Sequence, residues 1–179
     1  MFAILDGRLP GWLGWLDWTI DREQMRRASF LARSPLFAGL PRRQLSRLAT
    51  RFLEKAYNAG DVVFLEGDAG RALFVLVEGT VEITQATARG EHVVRSLGVG
   101  DAFGELALID DAGRSGTARV VLPARLLILY KTDFDALIEG EAKIAVVVMR
   151  NLSRVLASYA RRSPVVLTEP TKPGTAERS

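Results

Sequence analysis

Within FGELALIDDAGRSGTARV, residues 103–120, a carboxylate and a guanidinium stand nine positions apart, Glu105 and Arg114. Ionised Glu105 has only acceptor capacity, so it suits a hydroxyl that must donate, such as that of a sugar. Arg114 offers a planar fork of donors that matches a phosphate-type anion. Gly104 has no side chain and would let the backbone come close to a ligand. Glu105, Leu106 and Ala107 would open a short helix whose free N–H groups face an anion. Ser115 adds a hydroxyl or its own N–H. Taken singly, the same letters also fit a solvated turn in which Arg114 pairs with Asp110 or Asp111, so the surrounding elements must decide.

Other chemistries are poorly supplied. The chain has 179 residues, 48% hydrophobic and 25% charged, the profile of a soluble globular domain with extra length at its ends. There are no cysteines, which removes disulfides, thiolate metal sites and cysteine nucleophiles and fits a cytoplasmic protein. The one histidine, His92, reads as a strand or surface residue. A histidine-based triad would have to pass through it, and a cupin-type metal barrel would need several. The expectation is therefore a non-enzymatic protein with no metal and no cofactor. The net charge of +3 is small and the basic residues are spread from end to end. No run reaches the roughly 20 apolar residues of a membrane span. MFAIL at the start is too short for a signal peptide and is followed by Asp6.

Three zones follow along the chain. Residues 1–35 form an extension that carries GWLGWLDW at 11–18, where Trp12, Trp15 and Trp18 recur every third position. Gly11 and Gly14 weaken a helix there. Asp21 can cap one that runs to Arg33, with Ile20, Met25, Phe30 and Leu31 as its apolar stripe. Pro41 suits the first turn of a second helix, PRRQLSRLATRFL, with Leu45, Leu48 and Leu53 facing a core. From Gly60 to Lys131 the pattern changes to short β-rich runs: VVFLEG, ALFVLVEG, TVEITQ, HVVRSLG, TARVVLP and ARLLILYK. Glycines 60, 67, 79, 90, 98 and 100 punctuate them, which indicates an antiparallel sandwich or barrel. Helix then returns, first in TDFDALIEG with Thr132 as its cap, then in a long run over 141–162. Ile144, Val148, Leu152, Val155 and Tyr159 make a stripe on the latter suited to a partner helix. Residues 163–179 carry three prolines and little core material, and read as a flexible tail.

The fold class is thus α+β: an antiparallel β-roll, jelly-roll-like, flanked by N-terminal helices and two C-terminal helices. This order resembles the cyclic nucleotide-binding domain family, whose phosphate-binding cassette reads F-G-E-L-A-L, a short gap, then an arginine followed by small residues. Phe103-Gly104-Glu105-Leu106-Ala107-Leu108 matches letter for letter, and Arg114-Ser115-Gly116-Thr117 follows at the family's usual distance. Gly60-Asp61, Glu66-Gly67-Asp68 and Glu78-Gly79 match the glycines of its β-roll; the resemblance covers roughly 36–160, and the domain it implies is expected over 36–162. It implies a ligand site at Gly104, Glu105, Leu106, Ala107, Arg114, Ser115 and Thr117, with Glu105 on the ribose and Arg114 on the cyclic phosphate. It also implies a purine cap from the last helix, for which Tyr159, Arg161 and Arg162 are the candidates. Ser115, where threonine accompanies cGMP use in the family, leans toward cAMP. Gly113 and Gly116 stand where the family has proline and alanine, which predicts a looser loop.

The expected function is a cyclic nucleotide sensor; the alternative is the same fold kept as an interaction module with its site unused. Residues 163–179 are too few for a helix-turn-helix, so DNA is not an expected partner. The output would pass to an effector protein, or through a homodimer along the Ile144–Tyr159 stripe. The tryptophans offer a weaker option, a membrane surface or an apolar partner. Arg26-Arg27-Ala28-Ser29 resembles a basophilic kinase pattern but falls within a helix.

Overall fold

A computed structural model describes the backbone of residues 14–109 and 112–162, and their side chains except at 14–21, 107 and 162. The expectations for the tail and for Trp12 lie outside the described residues, and those for Trp15 and Trp18 outside the described side chains. Helix α1 spans Gly14–Leu31, so Asp21 lies inside it and is not its cap. Tertiary anchoring outweighs the weak propensity at its start. Gln24 Nε2 donates to the Ser46 carbonyl at 2.8 Å, and Arg26 and Arg27 reach Glu54 at 2.6 and 3.6 Å. Both arginines of the kinase-like pattern are thereby turned onto the domain. Leu31 is fully buried, whereas Met25 is exposed and leaves the expected stripe.

Helix α2 covers Arg42–Ala49 with Pro41 at its N-cap, and buries Leu45 and Leu48. It ends earlier than its sequence pattern suggests. Leu53, 55% exposed, opens strand β1, Leu53–Tyr57, and it is Phe52 that enters the core. Backbone pairing of β1 along Ile128–Ala124 captures these residues before the helix can extend.

The remaining strands are β2 (Val62–Phe64), β3 (Ala72–Thr87), β4 (Gly90–Leu97), β5 (Ala102–Phe103) and β6 (Thr117–Tyr130). All pair antiparallel in the order β1-β6-β3-β4, with β2 added to β6 and β5 to β3. Two pairs of expected strands are therefore single long strands that bend together. The β3–β6 register shifts around Glu78 and Thr80. There Gly79 has φ +89° and its missing Cβ would stand 2.2 Å from the Pro123 carbonyl oxygen.

The two-residue period of β3 divides the core. Ala72, Phe74, Leu76 and Val81 point into the roll with Phe103, Val120, Leu126 and Ile128. Leu73, Val75 and Val77 point the other way and meet Leu127, Leu129 and the helices. Three corners use one device, a Gly-Asp pair. Asp61, Asp68 and Asp101 each accept, through Oδ2, the N–H three residues earlier, and the preceding Gly60, Gly67 and Gly100 have positive φ.

Helix α3 spans Lys131–Gly140; its N-cap is Tyr130 and not Thr132, because β6 runs straight into the helix. Helix α4 spans Ala142–Arg162. Ile144, Val148 and Leu152 are buried against Leu36, Phe37 and Phe134, so these three cannot form a seam with a second copy. An apolar stripe states only that one helix face is covered; here the rest of the domain covers it. Asn151 Nδ2 donates to the carbonyls of Leu36 at 3.1 Å and Ala38 at 2.8 Å, fixing α4 to the 3-10 turn Pro35–Phe37. Glu141, between α3 and α4, pairs with Arg47 at 3.2 Å.

Candidate functional site

Gly67 starts the site. Its N–H donates to the Arg114 carbonyl at 2.9 Å, and the Arg114 N–H donates to the Asp68 carbonyl at 2.8 Å. The Glu66-Gly67-Asp68 turn thus holds the backbone that carries Arg114. Glu66 reaches further, its N–H donating to Thr117 Oγ1 at 3.0 Å and its carboxylate accepting from the Ala86 N–H at 2.9 Å. Gly113 and Gly116 do not loosen this loop. A Cβ on Gly113 would lie 2.9 Å from the Gly67 carbonyl oxygen, and one on Gly116 would lie 2.6 Å from that of Thr84. The bare glycines let the loop pack closely.

Arg114 is only 9% exposed. Its Nη1 donates to the Gly104 carbonyl at 3.1 Å and its Nη2 to that of Ala72 at 2.9 Å. The guanidinium carbon sits 4.2 Å from the Phe64 ring centroid and 5.5 Å from that of Phe74. Those rings form a cluster with Phe103. Nε is buried without a partner, and the guanidinium makes no ion pair among the described residues. Burial pushes its pKa below the ordinary arginine value, against the raising pull of Glu105 and Asp68. A buried cation held by carbonyls and aromatic faces is short of an anion.

Gly104 serves this arginine. It has φ +72°, and a Cβ there would stand 2.5 Å from Arg114 Nη1. The glycine is thus required by the cation's own approach to the backbone, not only by that of a ligand. After it comes a four-residue 3-10 helix, Glu105–Leu108. Glu105 is 7% exposed, while Leu106 is at the surface.

These residues line one cleft of about 1170 Å³ between the roll and α4, above the usual range of about 300–1,000 Å³ for a small-molecule site. Gly104, Glu105, Leu106, Arg114 and Ser115 all face it. Thr117 does not line it: its side chain is buried and engaged with Glu66. The side chains of Ala107 and Arg162 lie outside the described set. Of the expected caps, Tyr159 lines the cleft and Arg161 is exposed away from it. Arg95 on β4 and Arg154 on α4 also line it, and sequence reasoning missed both. Arg95 Nη1 donates to the Tyr159 hydroxyl at 2.6 Å. The alternation of HVVRSLG could not have found it, because the β3–β4 register shifts between Arg95, opposite Ile83, and Val93, opposite Thr84, and Val94 lines the cleft as well. His92 is exposed on the same strand. Among the described residues no group of three or more His, Cys, Asp or Glu side chains could hold a metal ion, and no helix is long and apolar enough to cross a membrane.

Comparison with known proteins agrees with this architecture. The family model "Cyclic nucleotide-binding domain" matches residues 54–141. The cyclic AMP receptor protein of Thermus thermophilus is 33% identical over 135 residues, which is 75% of this chain and 61% of that protein. A crystal structure of the N-terminal domain of a transcriptional regulator from Streptomyces coelicolor superposes with a TM-score of 0.68 at 30% identity, covering 74% of this chain and 96% of that one. The regulatory domain of Toxoplasma gondii PKA, crystallised with cAMP, gives a TM-score of 0.60 at 31% identity and covers 65% of this chain and 44% of that one. A buried arginine behind an FGELAL turn, on this roll, with these relatives, defines the class: the chain belongs to the cyclic nucleotide-binding domain family. It spans less than two thirds of the length of the curated relatives it matches, 61% of the Thermus protein and 28% of a putative potassium channel protein of Rhodopseudomonas palustris.

Proposed function

We propose that this chain is a cyclic nucleotide sensor, with cAMP preferred over cGMP. The buried guanidinium of Arg114, with its unpartnered Nε and no carboxylate bound to it among the described residues, carries this reading. The cyclic phosphate supplies the missing anion, and the ribose 2′-hydroxyl donates to Glu105. Ser115 beside the arginine supports cAMP, as do relatives named for cAMP. Binding draws the cassette toward the phosphate and repositions α3 and α4. The ligand shifts that equilibrium only by its differential affinity for the two arrangements. The response then passes to an effector protein or a second copy of the chain.

Titration calorimetry with cAMP and cGMP is the test. Arg114→Ala should cost about 2–5 kcal/mol for a buried charged contact. At about 1.4 kcal/mol per decade that is a loss of roughly thirtyfold to several thousandfold in affinity. One observation favours a second reading, an interaction module with its site unused: two Arg114 donors are already satisfied by the Gly104 and Ala72 carbonyls. Binding of neither nucleotide by the intact chain would select it.

A further inference from the structure

The two faces of α4 have different surroundings. The inner face packs on the domain through Ile144, Val148 and Leu152 and lines the cleft through Asn151, Val155 and Tyr159. The outer face is bare. Ala142, Val146, Met149, Ser153, Ala157 and Ala160 follow one another at steps of four, three, four, four and three, which puts them on one side of a helix, and all are exposed. Val146 is 65% exposed, more than any other large hydrophobic side chain among the described residues.

A row of cations runs along one flank of this stripe. Lys143, Arg150, Arg154 and Arg161 recur at intervals of seven, four and seven residues, and all are exposed. The sequence of α4 holds five basic residues and no acidic one. Among the described residues the side chains of Lys143, Arg150 and Arg161 have neither an ion pair nor a hydrogen bond, and Arg154 has only Asn151 Oδ1, at 3.1 Å. Asp135 and Glu139 on the neighbouring α3 form no ion pair with them, and Glu141 before α4 is taken by Arg47 and Arg51.

Small apolar side chains let a second helix approach closely, and its ridges enter the gaps between them. Carboxylates along the edge of that helix would answer the cations. We propose that the outer face of α4 is a docking surface for an acidic amphipathic helix of a partner protein. Val146 and Met149 meet its apolar stripe, and Lys143, Arg150 and Arg161 meet its carboxylates. This gives a chemistry to the effector of the proposed function, but the surface itself is present without nucleotide.

The same observations disfavour other occupants. A second copy of α4 brings further cations and no carboxylate to answer them. A lipid surface needs bulky apolar side chains sunk into the headgroups, and this face offers only Val146 and Met149 among alanines. A nucleic acid backbone needs cations alone and has no use for the apolar stripe beside them.

The test titrates a labelled synthetic helix, leucine and alanine on one face and glutamates along its edges, into the ligand-free full chain and reads fluorescence anisotropy. The acidic peptide should bind, and its counterpart with every glutamate replaced by lysine should not. Binding should weaken as salt rises from about 0.1 to 1 M, where the screening length falls from about 10 to 3 Å. Val146→Glu and Arg150→Glu should each lower peptide affinity about tenfold or more. Both positions are exposed, so the urea midpoint should stay in place and a loss of binding is a loss of the surface. Leu122→Glu, on an exposed position of the roll, should change nothing.

No binding of the acidic peptide, equal binding of both peptides, or binding that Val146→Glu and Arg150→Glu leave intact overturns the proposal. So does tighter binding to phosphatidylserine vesicles or duplex DNA than to the peptide, or a dimer in light scattering that Val146→Glu splits. All of this is read without nucleotide. Its failure therefore leaves the sensor reading standing, and a failure to bind cAMP leaves the docking surface standing.

Discussion

The two walls of the cleft are built on different principles. The roll wall carries its functional groups on backbone that is pinned at every corner. Gly67, Asp68 and Arg114 exchange main-chain hydrogen bonds, Gly104 admits the guanidinium, and Phe64 and Phe74 hold it from the side. The α4 wall is packed along its first half and tied beyond it by the polar contact from Arg95 to the Tyr159 hydroxyl. Ile144, Val148, Leu152 and Asn151 are buried, whereas beyond them Val155 and Tyr159 are half-buried and Arg154 and Arg161 exposed. A rigid wall can read a ligand without paying to order itself; a helix packed along half its length can move in response. On the proposed function, the recognition chemistry falls where the backbone is over-determined, and the response where it is not.

That contrast is open to attack, most severely at Gly104. Gly104→Ala forces a side chain onto left-handed backbone, about 1–2 kcal/mol of strain, and into the Arg114 guanidinium. Affinity for cAMP should fall by about tenfold or more, 1.4 kcal/mol per decade. Retained affinity in calorimetry would mean that the roll wall is not pinned as described. Asn151→Ala tests the anchored part of α4. It leaves the Leu36 and Ala38 carbonyls without their donor, at about 1–3 kcal/mol of stability in urea unfolding. It should leave Arg114-dependent binding in place. Arg161→Ala should do least, within about 0.5 kcal/mol in stability and with no change in cAMP affinity. A marked loss of binding there would give the purine cap back to the arginine and sharpen what the helix end contributes.

The two walls also differ in how readable they were. FGELAL and Arg114 were picked out by their resemblance to a family's cassette, and the Gly-Asp corners by their glycines, because both signals are local in sequence. An aspartate that accepts the N–H three residues earlier, beside a glycine at positive φ, needs no distant partner. Strand limits were less legible. Gly79 looks like a turn, yet it is a bend within β3 that the Pro123 carbonyl accompanies from another strand. Leu53 continued a helical pattern until pairing with Ile128 claimed it for β1.

Local sequence therefore singled out the residues proposed to read a sugar and a phosphate, and roughly where the corners of the roll fall. Tertiary structure alone decided what each side chain meets. It placed Arg114 beneath the Ala72 carbonyl, 42 residues away, and brought Arg95 to Tyr159, 64 residues away. It also turned Ile144, Val148 and Leu152 inward onto their own domain and not toward a second copy. Periodicity specifies that a face is apolar; the identity of the surface that covers it depends on contacts remote in sequence, which no local pattern encodes.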